Sequence, residues 1–292
     1  MRLLLIGAIT NSEAKYKDGI HKRFGGGVMY GAKAALKLRI NTTVITIGAG
    51  DISGGIDELS KLGAKVMHIK RSSSNNFAND YTREKRILYL SSMIDKPIMS
   101  SDLTIKPTDF DMILLNPILN EISKDLIEMF DQNKIILDLQ GFTRKEGRKN
   151  RSGLRTVLQK DWDDKGQMSN SIEILKMSDV DLANISFPEN IKSSEEKCLF
   201  FARLGYKNIV LTRGDNSIII VDKNKKIRHI PTVKVKVVDP AGAGDVFGVA
   251  FSYEYHRTHD VYKSARFANI CTALKISGED YNVDKIESLI KN

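Results

Sequence analysis

Several common building materials are scarce in this sequence. Its 292 residues include two cysteines, Cys198 and Cys271, which lie far apart and outside any C-x-x-C pair. That excludes a disulfide framework and a thiolate zinc module, and both thiols read as small buried hydrophobes. The five histidines are scattered; His256 and His259 lie close together, but no third ligand is near them, so they read as surface residues. Long apolar runs are missing as well. The longest, such as 3–6 and 112–115, are strand-sized, whereas a membrane span needs about 20 residues. A strand-like run begins at Arg2 with no cleavage-site pattern, so a cytoplasmic protein is expected. No G-x-x-x-x-G-K-[ST] motif is present, which excludes a Walker-type NTPase. The net charge of +9 has no zinc finger, RNP signature or basic zipper beside it. It fits small anionic ligands or a lysine-rich surface better than nucleic acid.

What is present suits an ordinary core: 41% of residues are hydrophobic and 28% charged. Segments 2–7, 42–47, 64–69, 112–115, 134–139, 180–183 and 208–212 read as strands. Segments 28–38, 52–62, 121–130, 171–177 and 195–204 read as helices. A hairpin over 217–221 and 226–230 follows, and the chain ends in helices over 243–255, 261–276 and 283–290. Such alternation predicts one domain over 1–292, a three-layer α/β/α arrangement with a mostly parallel sheet covered on both faces. Segments 8–24 and 72–99 are polar and break the rhythm, so they are expected to form a small β-strand lid outside the main sheet. Residues 144–164 read either as a long loop or as a loose helix.

The sharpest local feature is Asp239-Pro240-Ala241-Gly242-Ala243-Gly244-Asp245, between a strand-like run over 233–238 and an apolar helix from Val246. Small residues let a ligand approach the backbone. The first amides of a helix are unpaired donors at the positive end of its dipole, which suits phosphate. A carboxylate in that first turn, Asp245, is placed to take a proton from an attacking hydroxyl. Taken alone, an Asp in a first helical turn is more often just a favourable partner of the dipole.

Residues 239–252 resemble the C-terminal signature of the PfkB/ribokinase family of carbohydrate and nucleoside kinases. The resemblance implies a ribokinase-like fold and ATP-dependent phosphoryl transfer with Mg²⁺ to a small sugar, polyol or nucleoside. It implies Asp245 as the base and the Gly242, Ala243 and Gly244 amides as an anion hole. It places Asp239 near a monovalent-cation loop that some members use, so K⁺ joins the expected cofactors. Gly25-Gly26-Gly27 is similar to the family's substrate-side di-glycine, and Tyr30 stands where ribokinases carry a sugar-binding Asn, a departure that argues against plain ribose. Asn76-Phe77-Ala78-Asn79 with Tyr81 and Arg86 looks like archaeal-type lid strands. The run from Asp138 to Arg144 resembles a strand-end segment of members related to inositol kinases, implying Gln140 and Arg144 as substrate contacts; a solvated loop arginine reads equally well. Arg83, Arg86 and Arg144 leave room for a phosphorylated acceptor.

On the nucleotide side, Thr212 and Gly214 match a strand-end turn, and Asn269 is placed to flank adenine, although an ordinary helix polar residue reads slightly better. The family's Asn-x-x-Glu element is altered: Asn184 fits, Phe187 stands at the Glu position, and Glu189 is the acid left to act on Mg²⁺ through water. Gly48-Ala49-Gly50-Asp51 repeats the signature's letters before a more polar helix, so Asp51 reads as structural or as a support behind the substrate contacts, not as the base. A catalytically impaired sugar- or nucleotide-binding regulator on the same fold is the alternative. Unpaired lid edges point to a homodimer.

Overall fold

Period-two alternation sets the two faces of the central sheet. In Arg2–Ile6 (β1), Leu3 and Leu5 enter one buried cluster while Leu4 and Ile6 enter the other. The computed structural model describes residues 1–16, 18–80, 87–130, 134–163 and 165–291. After β1 the chain leaves the sheet as an antiparallel hairpin, Thr10–Tyr16 (β2) and Gly19–Gly25 (β3), and returns through Gly27–Lys37 (α1). Asn41–Gly48 (β4), Ser53–Lys61 (α2) and Lys65–Lys70 (β5) follow as a parallel unit. A second excursion comprises Asn76–Asp80 (β6) and Ile87–Ser92 (β7). Met112–Leu115 (β8), Lys124–Met129 (α3) and Ile135–Asp138 (β9) re-enter the core. Arg144–Lys149 (β10) and Arg155–Gln159 (β11) form a third excursion. Ile172–Ser178 (β12), Asp179–Ala183 (α4), Ser194–Arg203 (α5) and Asn208–Thr212 (β13) come next. Ile218–Val221 (β14) and Ile227–Ile230 (β15) close the sheet, before Ala243–Thr258 (α6), Val261–Ile276 (α7) and Val283–Lys291 (α8).

The nine-stranded sheet has the order β15-β14-β13-β12-β9-β8-β1-β4-β5, with parallel ladders except for the antiparallel pairs β13–β14 and β14–β15 at one edge. Apolar side chains of α1, α6 and α7 cover one face, among them Met29, Phe247 and Phe267. Those of α3, α4 and α5, such as Leu126, Leu182 and Phe201, cover the other. The expected three-layer α/β/α arrangement is therefore present. Local chemistry fixes the ends of the helices. Ser193 and Glu196 form a reciprocal capping box at α5, and the Asp260 carboxylate accepts from the Tyr262 and Lys263 amides at α7. No helix among the described residues is long and apolar enough to cross a membrane.

The three excursions assemble into a second sheet, ordered β10-β11-β7-β6-β2-β3. This is the expected lid, with one addition. Residues 144–164, read as loop or loose helix, supply two of its six strands, because β11 pairs with β7 and β10 pairs in turn with β11. Three further readings are corrected. Segment 171–177 is the strand β12 rather than a helix; its apolar positions fit either period, and burial between β9 and β13 selects the strand. Segment 180–183 belongs to a short helix rather than a strand, because Ser178 and Asp181 form a capping box there. Segment 233–238 is irregular rather than a strand. Tyr81, Arg83 and Arg86 lie outside the described residues.

The lid joins the core at Gly26, whose φ of 98° is a conformation that side chains resist and where an added Cβ would lie 2.1 Å from the Ala8 carbonyl oxygen. Gly26→Ala is expected to cost about 2–4 kcal/mol of stability, read as a lower urea midpoint. An unchanged midpoint would show that this junction is not constrained.

Candidate active site

The C-terminal ends of parallel strands leave a crevice where ligands of open α/β sheets bind. Here the ends of β8, β9 and β12 and the start of α6 each deliver one polar side chain to the same place. Asn116 follows β8, and its Nδ2 donates to Asp245 Oδ1 at 3.0 Å. Asp138 ends β9 and accepts from Lys176 Nζ of β12 at 2.5 Å, both side chains being only 5% exposed. Asp245 sits in the first turn of α6. Lys176 Nζ lies 3.4 Å from the point where a Cβ on Gly244 would be. The lysine cation is therefore directly beneath the glycine-rich turn.

Electrostatics follow from this packing. Burial, joined by the Asp138 charge, pushes the Asp245 carboxyl up to about 6, against the pull of the Asn116 hydrogen bond and the Lys176 and Arg144 charges. Burial disfavours the Lys176 ammonium, but Asp138 overrides it and holds its pKa above that of an ordinary lysine. Gly242 caps α6 with φ of 73°, and a Cβ there would lie 2.3 Å from Tyr30 Cγ. Among the described residues, the Gly242 and Gly244 amides have no backbone partner, whereas the Ala243 amide donates to Pro240 O at 3.2 Å. Of the three amides expected to form an anion hole, two are open.

The turn 239–245 forms a wall between two cavities. One, of about 810 Å³, is lined by Gly26, Gly27, Tyr30, Gln140, Arg144, Asp239 and Asp245, and by Thr10, Ser12, Arg23 and Asn79 of the lid sheet and its approaches. The other, of about 540 Å³, is lined by Thr212, Gly214, Asn269, Val233, Val235, Val237, Phe247 and Gly244. Pro240 lines both. The expected substrate-side and nucleotide-side residues are thus sorted into separate compartments. Asn269 holds the irregular segment in shape, donating to Pro231 O at 2.8 Å and accepting from the Val233 amide at 3.4 Å.

Some expected residues stay outside. Asn184 lines neither cavity, and its Nδ2 donates to Val180 O within its own turn. Glu189 is exposed and lines neither cavity. Phe187 explains why: it packs edge-on against Phe200 and Phe201, with ring centroids 5.4 and 5.8 Å away, so this loop is tied to the core. Among the described residues, no cluster of three acidic, histidine or cysteine ligands could hold a metal. A monovalent cation at Asp239 does not fit either, because Lys275 Nζ already binds Asp239 O and Oδ2 and Ala241 O. Asp51 is structural, its carboxylate accepting from Ser74 Oγ and Asn76 Nδ2 at the root of the lid. Cys198 and Cys271 are buried, their thiols pushed up to about 12 by burial.

Asn116, Lys176 and Glu121 escaped the reading of the sequence, and Asp138 was noticed only as part of a segment. Glu121 is fully buried and accepts from the Ala8, Ile118 and Leu119 amides, fixing the floor of the crevice. A usable signal existed for two of these residues: Asn116 and Asp138 are the first polar residues at the ends of apolar strands.

Residues 147–285 match the model of the pfkB family carbohydrate kinases. A pyrophosphate-dependent kinase in the ribokinase family, solved with a pyrophosphate analog and myo-inositol, superposes with a TM-score of 0.78 at 21% identity, covering 99% of this chain and 100% of that one. The fold is therefore the ribokinase-like α/β/α fold, and residues 147–285 are similar to the pfkB family carbohydrate kinases. A ribokinase of Lactococcus lactis subsp. lactis is 31% identical over 105 residues, 33% of this chain and 35% of the relative. This chain thus spans only about a third of that relative's length. A cytidine kinase of Thermococcus kodakarensis is 22% identical over 278 residues, 90% of this chain and 92% of the relative.

The raised Asp245 pKa has a consequence for stability. The folded chain holds that proton more tightly than the unfolded chain, so the stabilisation is fully present below the ordinary value of 3.8 and is lost as pH rises through about 6. Above that, ionised Asp245 costs stability. Asp245→Asn is expected to be more stable than the parent by about 2 kcal/mol at about pH 7.5, with no gain below about pH 4, as read from denaturant midpoints at the two pH values.

Proposed function

We propose that this protein transfers a phosphoryl group from ATP to a hydroxyl of a small sugar, polyol or nucleoside. One observation carries the reading: a single turn, 239–245, separates two cavities, with the Asp245 carboxylate facing one and the Gly244 backbone facing the other. The acceptor belongs in the larger, polar cavity under the lid. ATP belongs in the other, where Val233, Val235, Val237 and Phe247 offer an apolar slot to a flat base. Thr212, Gly214 and Asn269 line that slot.

In this mechanism Asp245, ionised above about pH 6, takes the proton of the acceptor hydroxyl as its oxygen attacks the terminal phosphorus. Asn116 orients the carboxylate through its amide. The Gly242 and Gly244 amides, at the positive end of α6, receive the negative charge of the transferring group, and Lys176 adds a fixed cation beneath them. A Mg²⁺ held chiefly by the donor phosphates and water would neutralise phosphate charge, since such ions keep much of their water and need few protein ligands. Closure of the lid excludes water from the transfer. The two free, buried cysteines suit a cytoplasmic enzyme. We also assign a homodimer contact to β3, an edge strand of the lid sheet whose Ile20 is 61% exposed.

The altered Asn-x-x-Glu element favours a second reading, a binding protein without turnover. Against it stands the Asp245 network: a pure binder gains nothing from a half-buried carboxylate that lowers stability.

Turnover decides between them. Purified protein with Mg²⁺ is given ATP and a panel of ribose, fructose, fructose 6-phosphate, myo-inositol, adenosine, inosine and cytidine. One acceptor is expected to drive ATP consumption, and Asp245→Ala to lower kcat by about 10²–10⁴-fold with the KM for ATP little changed. ATP binding without turnover on any acceptor would favour the binding protein. The dimer is read separately by light scattering, where Ile20→Lys is expected to halve the mass.

A further inference from the structure

The turn that separates the cavities must be held in one shape, because its conformation aims the Gly242 and Gly244 amides. Three devices hold it. The Val238 and Asp239 amides both donate to Ile276 O, at 2.7 and 3.1 Å. Asp239 Oδ1 accepts from the Ala241 amide at 3.0 Å. The third is Lys275, in the last turn of α7, whose Nζ donates to Asp239 O at 2.9 Å, to Asp239 Oδ2 at 3.3 Å and to Ala241 O.

An ammonium has three donors, and here each has an oxygen. The acceptors are two main-chain carbonyls and one carboxylate, an all-oxygen set of the kind that hard cations take. The Lys275 side chain is only 15% exposed, and its Nζ lies 5.9 Å from the centroid of the Tyr30 ring. Tyr30 in turn packs beneath Gly242. The lysine charge is therefore sandwiched between an aromatic face and the carbonyls of the turn, at the negative end of the α7 dipole. An ordinary surface ion pair with Asp239 would be worth little and would not enlist the carbonyls of residues 239 and 241.

We infer that Lys275 is a positioning residue whose ammonium takes the place of a monovalent cation beside the phosphoryl-binding turn, making the protein independent of K⁺. A potassium ion is close to an ammonium in size and would compete for the same oxygens. Tyr30, read from the sequence as a substrate residue, also becomes part of this brace. The inference rests on reading the turn as the phosphoryl-binding element.

The test compares the parent with Lys275→Ala in tetramethylammonium chloride, KCl, NH₄Cl and LiCl at constant ionic strength. Melting temperature and calorimetric affinity for ATP are measured, not turnover alone. The parent is expected to show the same values in K⁺ and in tetramethylammonium. Lys275→Ala is expected to bind ATP about tenfold more weakly in tetramethylammonium, the loss of one charged hydrogen-bond set. K⁺ or NH₄⁺, but not Li⁺, restores it and raises the melting temperature. A parent whose melting temperature or ATP affinity rises in K⁺ overturns the inference. So does a Lys275→Ala deficit that no cation repairs. If Lys275→Ala does not fold, Lys275→Met preserves the packing and is read the same way. Failure of the parent to bind ATP would defeat the phosphoryl-transfer reading, while the melting temperatures would still report whether a cation replaces the lysine.

Discussion

The buried pair of Asp138 and Lys176 is the interaction on which the site depends. Two carboxylates, Asp138 and Asp245, are drawn together at the ends of neighbouring elements, and their mutual repulsion in a poorly solvated crevice would otherwise drive one of them to protonate or the elements apart. The lysine answers that repulsion from beneath, at 2.5 Å from Asp138 and close under Gly244. Removing one partner of such a pair leaves an uncompensated buried charge, which is far more damaging than never having had the pair. Since β8, β9, β12 and α6 each contribute one member, the network exists only when the parallel sheet is fully assembled. Fold and chemistry are thereby specified by the same contacts.

Around that centre the two sides of the molecule are built differently. The slot beside Gly244 is apolar and made by the irregular run of valines before the signature. The cavity beside Asp245 is polar and roofed by the second sheet.

Much of this was legible in the residues. The alternation of short apolar runs with helical segments gave the layers, and the run from Asp239 to Asp245 located the turn and its carboxylate. Readings failed where local pattern had no power to decide. Segment 171–177 has apolar positions compatible with either period, and only its place between β9 and β13 made it a strand. Residues 144–159 are too polar to announce strands, and the pairing of β11 with β7 and of β10 with β11 made them two. Lys176 went unnoticed because nothing nearby in sequence reveals Asp138 across the ladder. Glu189 was a guess about reach, and reach is set by Phe187, whose ring pins the loop to α5. Side chains supplied by one contiguous motif were found; those brought together by the sheet were not.

The second sheet is stitched from three separate excursions, which leave the core after β1, after β5 and after β9. A flap on one tether can swing freely, but a sheet anchored at three points cannot. Its ladder bonds make it move as a plate, so displacement at one root is imposed on the others. Those roots carry Gly26, the Asp51–Ser74–Asn76 knot and Arg144. A molecule pressing on the underside of the plate at any point therefore loads all three anchors at once. The crevice would then respond to occupancy as a single mechanical unit.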